Sequence, residues 1–310
     1  MKDNSCAAII GGGIMGTDIA AIFANAGWNV DIVEPFHERW KQSEQRTLKS
    51  TEQLGGTPIR NKLVLHASAS ELHWQKIGIV VECVPEQLTI KQQVFAELER
   101  LAPAGVPLAS NSSSFPISEI GKGLKTRERM LGLHFFMPAH LVPAVEVVCG
   151  EATDPDICGR VATLMKLLNK VPIRVKKDIP GFLANRIQHA MMREAYALID
   201  AGMATAEDID AAVMYGFGLR YLAAGPILQK DMAGLELNYA AAETIYPHLA
   251  NNSVPSRALA ERVAEGKFGM KTGEGFYPWT PQSAAKEKAR YDRMLIAALA
   301  IQKSERNQES

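Results

Sequence analysis

The first part of the chain alternates short apolar runs with longer segments whose apolar residues recur at the helical spacing. Five of these runs have the length of buried strands, at residues 6–10, 29–34, 63–66, 78–83 and 106–110. Strands that alternate with helices are typical of crossover units, which place the strands side by side in a mostly parallel sheet. Three further apolar runs, at residues 130–135, 144–148 and 171–175, are expected to extend this sheet.

The pattern changes after the segment K-K-D-I-P-G at residues 176–181. From there on long helical patterns dominate, at residues 185–201, 206–215 and 234–250. We therefore predict an α/β domain over residues 1–177 and an all-α domain over residues 178–310. The first long helix has a broad apolar face, and two-fold pairing is the commonest way to bury such a face, so we expect a homodimer through the helical domain. This face carries Ala190, Met191, Ala195, Leu198 and Ile199.

A glycine-rich turn joins the first strand to the first helical segment, with the sequence G-G-G-I-M-G at residues 11–16. A strand, a G-x-G-x-x-G turn and a helix together are the fingerprint of a Rossmann dinucleotide-binding domain. The first glycine permits the tight turn, the second lets a pyrophosphate approach the backbone, and the third lets the helix pack on the strand. The predicted cofactor-binding turn consists of Gly11, Gly13, Ile14, Met15 and Gly16.

The second strand ends in Glu34, 18 residues after Gly16. A carboxylate at this place accepts hydrogen bonds from the adenosine ribose and repels a 2′-phosphate. The sequence therefore predicts NAD rather than NADP as the cofactor. Arg39 is the nearby cation that would suit a 2′-phosphate, but it lies beyond Pro35 and reads as an exposed helix charge.

Composition and charge remove several classes of function. The 34 basic and 34 acidic residues cancel, so the long-range field that gathers nucleic acid or an anionic membrane is missing. No apolar stretch is long enough for a transmembrane helix, and the polar first five residues do not resemble a secretion signal.

The cysteines also bear on location. Cys6, Cys83, Cys149 and Cys158 lie in or beside apolar runs without the C-x-x-C spacing of many metal or redox sites. We expect reduced thiols, no metal centre and a cytoplasmic protein.

Three polar segments fall where strands should end, at the sheet edge that binds ligands in open α/β folds. They are S-N-S-S-S at residues 110–114, L-H-F-F at 133–136 and V-E-V-V at 145–148. With P-G-F-L-A-N-R at residues 180–186, they resemble the 3-hydroxyacyl-CoA dehydrogenase family, whose patterns N-[ST]-S-S, H-F-F, V-E-V and D-x-P-G-F-x-x-N-R occur in this order. The resemblance runs from Gly11 to about Tyr277.

The resemblance implies a catalytic role for four residues. His134 would be the general base, Glu146 would orient it, Ser113 would bind the reacting oxygen, and Asn185 would help place the substrate. The chemistry asks for the same residue types, because oxidation of a secondary alcohol needs a base that titrates near neutrality and a partner that sets its tautomer. Alone, His134 would be read as a core histidine, and Ser112 and Ser114 still read as turn formers.

The resemblance further implies cofactor contacts from Glu86 and Lys91, within V-P-E-x-x-x-x-K, and from Lys271, within K-F-G-M-K-T-G-E-G-F-Y at residues 267–277. Glu86 and Lys91 are equally typical of a helix start and a surface charge.

Three departures from the family pattern concern the substrate. Met137 stands where H-F-F-N-P has an amide near the nicotinamide, and residues 35–62 hold only three lysines where acyl-CoA enzymes carry a lysine-rich arm. Residues 216–226 form a longer glycine- and proline-bounded stretch, which resembles relatives acting on free hydroxy acids such as L-gulonate or L-carnitine. Arg220 in this stretch is either a carboxylate-binding residue or an ordinary exposed or interdomain arginine.

We therefore predict an NAD-dependent dehydrogenase of fatty acid metabolism, whose partner is a small molecule: a 3-hydroxyacyl-CoA or a free hydroxy acid. A non-catalytic, crystallin-like NAD-binding protein is a second hypothesis, against which the set Ser113, His134, Glu146 and Asn185 argues. A β-hydroxyacid dehydrogenase with a catalytic lysine is a third, which the His134 and Glu146 pair disfavours.

Overall fold

The computed structural model describes residues 6–56 and 62–308. The chain divides into two compact units, Met1–Arg186 and Ile187–Ser310. The sequence prediction puts the boundary slightly earlier, between residues 177 and 178. The difference arises because residues 178–186 contain the turn and the first residues of a helix that continues into the second unit.

The first unit is built on an eight-stranded sheet with the order β3-β2-β1-β4-β5-β6-β7-β8. The strands pair in parallel except for the antiparallel pair β6 and β7. This arrangement confirms the predicted mostly parallel sheet. The strands are β1 (Cys6–Ile10), β2 (Asn29–Val33), β3 (Leu63–His66), β4 (Ile77–Glu82), β5 (Leu108–Ser110), β6 (Met130–Phe135), β7 (Ala144–Cys149) and β8 (Val171–Val175).

Helices cover both faces of this sheet, and each face has its own apolar core. Ile19 and Phe23 pack on one face together with Met165, whereas Phe95 and Ile120 pack on the other. Three short 3-10 turns, Ala69–Glu71, Trp74–Lys76 and Arg127–Arg129, accompany them. The helices of the unit are α1 (Ile14–Asn25), α2 (His37–Gln53), α3 (Leu88–Leu101), α4 (Ile117–Ile120) and α5 (Pro155–Leu167).

The strand order indicates at which edge of the sheet a ligand should bind. The sheet runs from β1 to β3 in one direction and from β4 onwards in the other, so the order reverses between β1 and β4. Ligands of open α/β sheets bind beyond the carboxyl ends of the strands at such a reversal. Beyond β5, the antiparallel pairing sets His134 directly opposite Glu146.

The second unit is helical, as predicted. The sequence prediction of one helix over residues 206–215 is wrong in detail, because the α-helix widens into a π-helix at Ala212–Phe217. Two 3-10 turns, Leu219–Leu222 and Tyr246–His248, separate helices. The helices are α6 (Ala184–Asp200), which begins in the first unit, α7 (Ala206–Ala211), α8 (Pro226–Ala233), α9 (Leu235–Ile245), α10 (Arg257–Ala264) and α11 (Pro281–Gln308).

The expectation of four reduced thiols is wrong for two of the cysteines. Cys149 at the end of β7 and Cys158 in α5 form a disulfide, with their Cα atoms 6.3 Å apart. The turn between β7 and α5 folds back and brings them together, which their sequence spacing did not reveal. Cys6 and Cys83 are free. The thiols therefore no longer support a cytoplasmic location.

Two searches cover the described residues. Within residues 6–56 and 62–308, none of the helices has both the length and the apolar character that a membrane span requires. The same residues contain no cluster of three His, Cys, Asp or Glu side chains that could hold a metal ion.

Candidate active site

The glycine turn leaves space where a dinucleotide is expected. Gly11 has a φ of 113°, and a Cβ there would lie 2.8 Å from the carbonyl oxygen of Cys83. A Cβ on Gly16 would overlap the carbonyl oxygen of Gly11. A Cβ on Gly13, in contrast, would meet nothing within 4 Å. Gly13 caps α1, whose first backbone amides are free for an anion, so the turn fits a pyrophosphate. Ile14 and Met15 follow in the first turn of α1, and the side chain of Ile14 is exposed.

Glu34 is held rigidly just after β2. Only 5% of this residue is exposed. Its Oε2 accepts a hydrogen bond from the amide of Gly12 at 3.2 Å, and its Oε1 accepts one from the amide of Phe36, also at 3.2 Å. Each oxygen keeps a lone pair for a further donor, as a ribose diol would require. Arg39 is exposed on α2, as predicted, and its guanidinium lies 4.5 Å from the centre of the Phe36 ring.

His134 and Glu146 form a buried pair across β6 and β7. The Nδ1 of His134 lies 2.7 Å from Oε2 of Glu146. The other carboxylate oxygen accepts hydrogen bonds from the amides of Leu183 at 3.0 Å and Ala184 at 2.8 Å. Burial alone raises the pKa of Glu146, but the hydrogen bonds from His134 and from the two amides outweigh burial and lower it. Glu146 is therefore a carboxylate at neutral pH, and Nδ1 of His134 carries the proton that it accepts.

Aromatic rings fix the plane of the imidazole. The ring centres of Phe136 and Phe182 lie 4.7 Å and 5.9 Å from that of His134. Phe182 has a φ of 47° and follows Gly181, which also has a positive φ. This turn is tied down by Asp178, whose carboxylate accepts hydrogen bonds from the amides at the start of α4. The role of Asp178 in the D-x-P-G-F pattern is thus structural.

Glu86 holds the serine turn that follows β5. Its Oε1 accepts hydrogen bonds from the hydroxyls of Ser112 and Ser114 and from the amides of Ser113 and Ser114, at 2.6–3.1 Å. Burial raises the pKa of Glu86, but Ser112 and the charge of Lys91 outweigh burial and lower it. The reading of Ser112 as a turn former also fits, since its hydroxyl accepts a hydrogen bond from the amide of Phe115. The turn presents Ser113 at the edge of the sheet.

Lys91 is not the surface charge that its helical position suggests, because only 1% of the residue is exposed. Its amine lies 2.8 Å and 3.1 Å from the two carboxylate oxygens of Glu82, and 3.2 Å from Oε2 of Glu86. Glu82 is fully buried at the end of β4, and it also accepts a hydrogen bond from the hydroxyl of Ser110 at 2.6 Å. Burial raises the pKa of Glu82. The sequence analysis missed Glu82, which reads there as part of an apolar strand.

Asparagines connect these segments. The side-chain amide of Asn185 donates a hydrogen bond to the carbonyl oxygen of Ser113 at 3.0 Å. Asn111, which the sequence analysis treated only as part of a motif, accepts a hydrogen bond from the amide of Phe135 at 2.9 Å. The structure thus brings together Ser113, His134, Glu146 and Asn185 within the first unit.

The remaining predicted site residues lie in the second unit. Arg220 is exposed in the 3-10 turn Leu219–Leu222. Lys271 is exposed in a turn closed by a bridge between Gly269 and Glu274. In the first unit, Met137 projects from the end of β6 with 62% of its surface exposed.

Known proteins share this architecture. The chain is 34% identical over 223 residues to 5-formyl-3-hydroxy-2-methylpyridine 4-carboxylate 5-dehydrogenase of Mesorhizobium japonicum, covering 72% of each chain. It is 32% identical over 288 residues to the mitochondrial hydroxyacyl-coenzyme A dehydrogenase of Homo sapiens, covering 87% of this chain and 90% of that protein. A crystal structure of a 5-formyl-3-hydroxy-2-methylpyridine 4-carboxylic acid 5-dehydrogenase, described as an NAD⁺-dependent dismutase, superposes with a TM-score of 0.91 at 29% identity, covering 97% of this chain and 99% of that one.

Family models cover both parts of the chain. Residues 6–179 match the NAD-binding domain of 3-hydroxyacyl-CoA dehydrogenase, and residues 181–279 match its C-terminal domain. The matches meet within the Pro-Gly turn and leave only the ends of the chain outside. The chain therefore belongs to the 3-hydroxyacyl-CoA dehydrogenase family, whose members are NAD-dependent oxidoreductases acting on CH–OH groups.

Proposed function

We propose that this protein oxidises the 3-hydroxyl of a 3-hydroxyacyl substrate to a ketone, with His134 as the general base. The observation that carries this proposal is the 2.7 Å contact between Nδ1 of His134 and the buried carboxylate of Glu146. Because a carboxylate only accepts, the proton of this contact would lie on Nδ1, and the lone pair of Nε2 would be left to take a proton from the substrate hydroxyl. The resulting imidazolium is stabilised by the same carboxylate.

NAD, when bound, would supply the hydride acceptor for the hydrogen on the carbinol carbon. As the hydroxyl proton passes to Nε2 of His134 and the C–H bond breaks, the carbon–oxygen bond becomes a carbonyl. Ser113 and Asn185 would hold the reacting oxygen through this change. Their hydrogen bond, from the Asn185 amide to the Ser113 backbone, supports a shared position.

We assign cofactor binding to residues 1–177 and substrate binding and pairing to residues 178–310. In the first unit, Gly11, Gly13, Gly16 and Glu34 would hold the dinucleotide, with Glu86 and Lys91 behind the serine turn. The exposed Lys271 and Arg220 are proposed for cofactor and substrate respectively. Their side chains have the charge that a phosphate or carboxylate requires.

The helical unit would form a homodimer. Among its described residues only Ala258 is buried, whereas large apolar side chains along several helices are exposed. A unit of this size needs an apolar core, and a second copy of the chain would supply one. The exposed side chains include Met203, Tyr215, Ile227, Met232, Leu237 and Tyr246.

A free acid is the second candidate substrate. The full-length similarity to a dehydrogenase of a pyridine carboxylic acid favours it, as does the exposed guanidinium of Arg220. The same base would serve either substrate. Assays with matched pairs of a CoA thioester and its free acid separate the two, and Arg220→Ala should raise KM for the free acid alone.

The catalytic proposal is tested with His134→Asn. Turnover should fall by about three orders of magnitude or more, while NAD affinity stays near normal, because only the proton transfer is lost. His73 has an exposed side chain away from the sheet's carboxyl edge, so His73→Asn is the matched control and should retain full activity. A His134→Asn enzyme whose turnover and acidic pH limb match those of the unmodified protein would show that another group is the base.

A further inference from the structure

A second buried polar cluster lies in the first unit, and the proposed chemistry does not use it. Its centre is Asp18 on α1, which is fully buried. Oδ1 of Asp18 lies 3.1 Å from Nη2 of Arg46 and accepts a hydrogen bond from the hydroxyl of Ser50 at 3.0 Å, both on α2. Oδ2 lies 3.1 Å from Nδ1 of His140, a distance typical of an ion pair but without the alignment of a good hydrogen bond.

His140 belongs to residues 136–143, which connect β6 to β7 and which we name the hairpin connection. Its side chain is buried, and its Nε2 lies 2.8 Å from Oε1 of Gln53 at the end of α2. The hairpin connection is therefore attached through one side chain to both α1 and α2. The connection begins two residues after His134 and ends three residues before Glu146.

A buried lysine holds the backbone of the same connection. Nζ of Lys170, just before β8, donates to the carbonyl oxygens of Ala139 at 2.7 Å, His140 at 3.1 Å and Val142 at 2.9 Å. These three bonds use all the donors of an ammonium group. Burial lowers the pKa of Lys170 to about 8, because removing the ammonium group from water disfavours its charged form.

Such a cluster is a poor device for stability alone. Removing charged groups from water costs more than their attraction returns in many proteins, and well-packed apolar residues would stabilise the same contact at least as well. Polar partners instead restrict the joined segments to a single relative position, because each donor has to meet its acceptor. The cluster joins two parts of the site: α1 begins at the pyrophosphate turn, and the hairpin connection carries Met137, three residues after His134.

We propose that Asp18, His140 and Lys170 are positioning residues, which fix the hairpin connection relative to the cofactor-binding helix and so set the nicotinamide end of bound NAD against His134. The proposal rests on the proposed function, since it needs His134 at the reacting centre. None of the three residues touches the reacting atoms. Their effect passes through the backbone of residues 136–143.

Binding of two ligands separates this role from a structural one. ADP-ribose carries the adenosine and the pyrophosphate but lacks the nicotinamide, so it probes the glycine turn and Glu34 alone. In His140→Phe, the affinity for NAD should fall about tenfold while that for ADP-ribose changes less than about twofold, because residues in contact couple by this order and only the nicotinamide end is affected. Isothermal calorimetry measures both affinities. In steady-state kinetics, the fold decrease in kcat should be larger than the fold increase in KM for the alcohol.

The structure offers a matched control. Asp31 and His66 form another Asp–His pair in the same unit, 3.4 Å apart on β2 and β3, without contact to the hairpin connection. His66→Phe should leave the ratio of NAD to ADP-ribose affinities unchanged. Gln53→Leu is a milder second variant, since Gln53 is largely exposed, and it should lower the ratio in the same direction by a smaller factor.

Two results would overturn the proposal. Equal losses for NAD and ADP-ribose would mean that the cluster supports α1 rather than the connection. A lower melting temperature with an unchanged affinity ratio and kcat, in both His140→Phe and Gln53→Leu, would mean that it supports only the fold. Failure of the His134 assignment is detected separately, because it appears in the turnover of His134→Asn and not in the binding ratio.

Discussion

Replacing Glu146 by Gln keeps the size of the side chain but exchanges one carboxylate oxygen for an NH₂ group, which donates hydrogen bonds and does not accept them. The site sets two incompatible demands on this amide. Leu183 and Ala184 both present backbone N–H donors to one end of the side chain, and His134 presents its Nδ1 to the other. A carboxylate accepts at both ends, whereas Gln accepts at only one.

The cost of each orientation follows from these contacts. If the amide oxygen faces the two backbone donors, the NH₂ group faces His134, and the ring then accepts at Nδ1 and carries its proton on Nε2. That tautomer cannot take a proton from the substrate. If the amide is reversed, His134 keeps the active tautomer, but the two partly buried backbone donors lose their acceptor, at up to about 1–3 kcal/mol each.

The inactive orientation should therefore prevail by roughly 2–6 kcal/mol, which corresponds to a fall in turnover of about 30-fold to more than 10,000-fold. Because this orientation satisfies every buried group, the melting temperature should change little. Steady-state kinetics and thermal unfolding of the purified variant measure the two quantities, and NAD affinity should stay near that of the unmodified protein.

Glu151→Gln is the matched control. It makes the same chemical change at a residue that is exposed just after β7 and does not face His134. In the double variant with His134→Asn, the loss should be far from additive, because the two residues act as one unit. Turnover of Glu146→Gln within about threefold of the unmodified enzyme would refute the tautomer argument, as would additive losses in the double variant.

Three further predictions test other parts of the molecule. NAD should bind at least about tenfold more tightly than NADP, a difference of roughly 1.4 kcal/mol. Glu34→Ala should narrow this preference mainly by lowering the affinity for NAD, which calorimetry would measure. Equal affinities for NAD and NADP in the unmodified protein would contradict the prediction. Burial lowers the pKa of Lys170 to about 8 in the folded protein, below the 10.5 of an ordinary lysine, so the folded state holds this proton less tightly than the unfolded chain. The unmodified protein should therefore gain stability relative to Lys170→Met as the pH rises through this window, by on the order of 3 kcal/mol in urea unfolding, and a flat difference would contradict the prediction. Light scattering at micromolar concentration should give twice the chain mass of 33.8 kDa, and a monomer would argue against pairing through the helical unit.

The sheet and the catalytic pair were predictable because both follow from local patterns. Short apolar runs and glycine turns report strands and their ends directly, and all eight predicted strands are present. His134 and Glu146 each sit inside such a run, so a buried base and a buried acid had to be partners. The antiparallel direction of β6 and β7 was not predicted, although the eight residues 136–143 between them are too few for a parallel crossover.

Buried charges were the part that sequence could not reveal. Lys91, Lys170 and Asp18 all lie on or beside helices, where a charged residue is normally exposed. Whether such a group is buried depends on partners that are distant in sequence, as Asp18 and His140 are. The bounds of α2 were not predicted for a related reason, because its buried face consists of small polar residues such as Ser43 and Thr47 rather than an apolar stripe.

Hydrogen-bonding capacity restricts how Glu86 and Lys91 could serve the cofactor. An ammonium has three donors, and Lys91 already has Glu82, Glu86 and the carbonyl oxygen of Val84 within 3.4 Å. Oε1 of Glu86 accepts hydrogen bonds from the turn that carries Ser113, and Oε2 faces Lys91. Lys91 cannot take a new partner without giving up an existing one, so we expect it to act on NAD through the serine turn, whereas Oε2 of Glu86 keeps a lone pair for a further donor. Glu82 then becomes the residue on which this arrangement depends, because it alone balances the charge of Lys91 from inside the sheet.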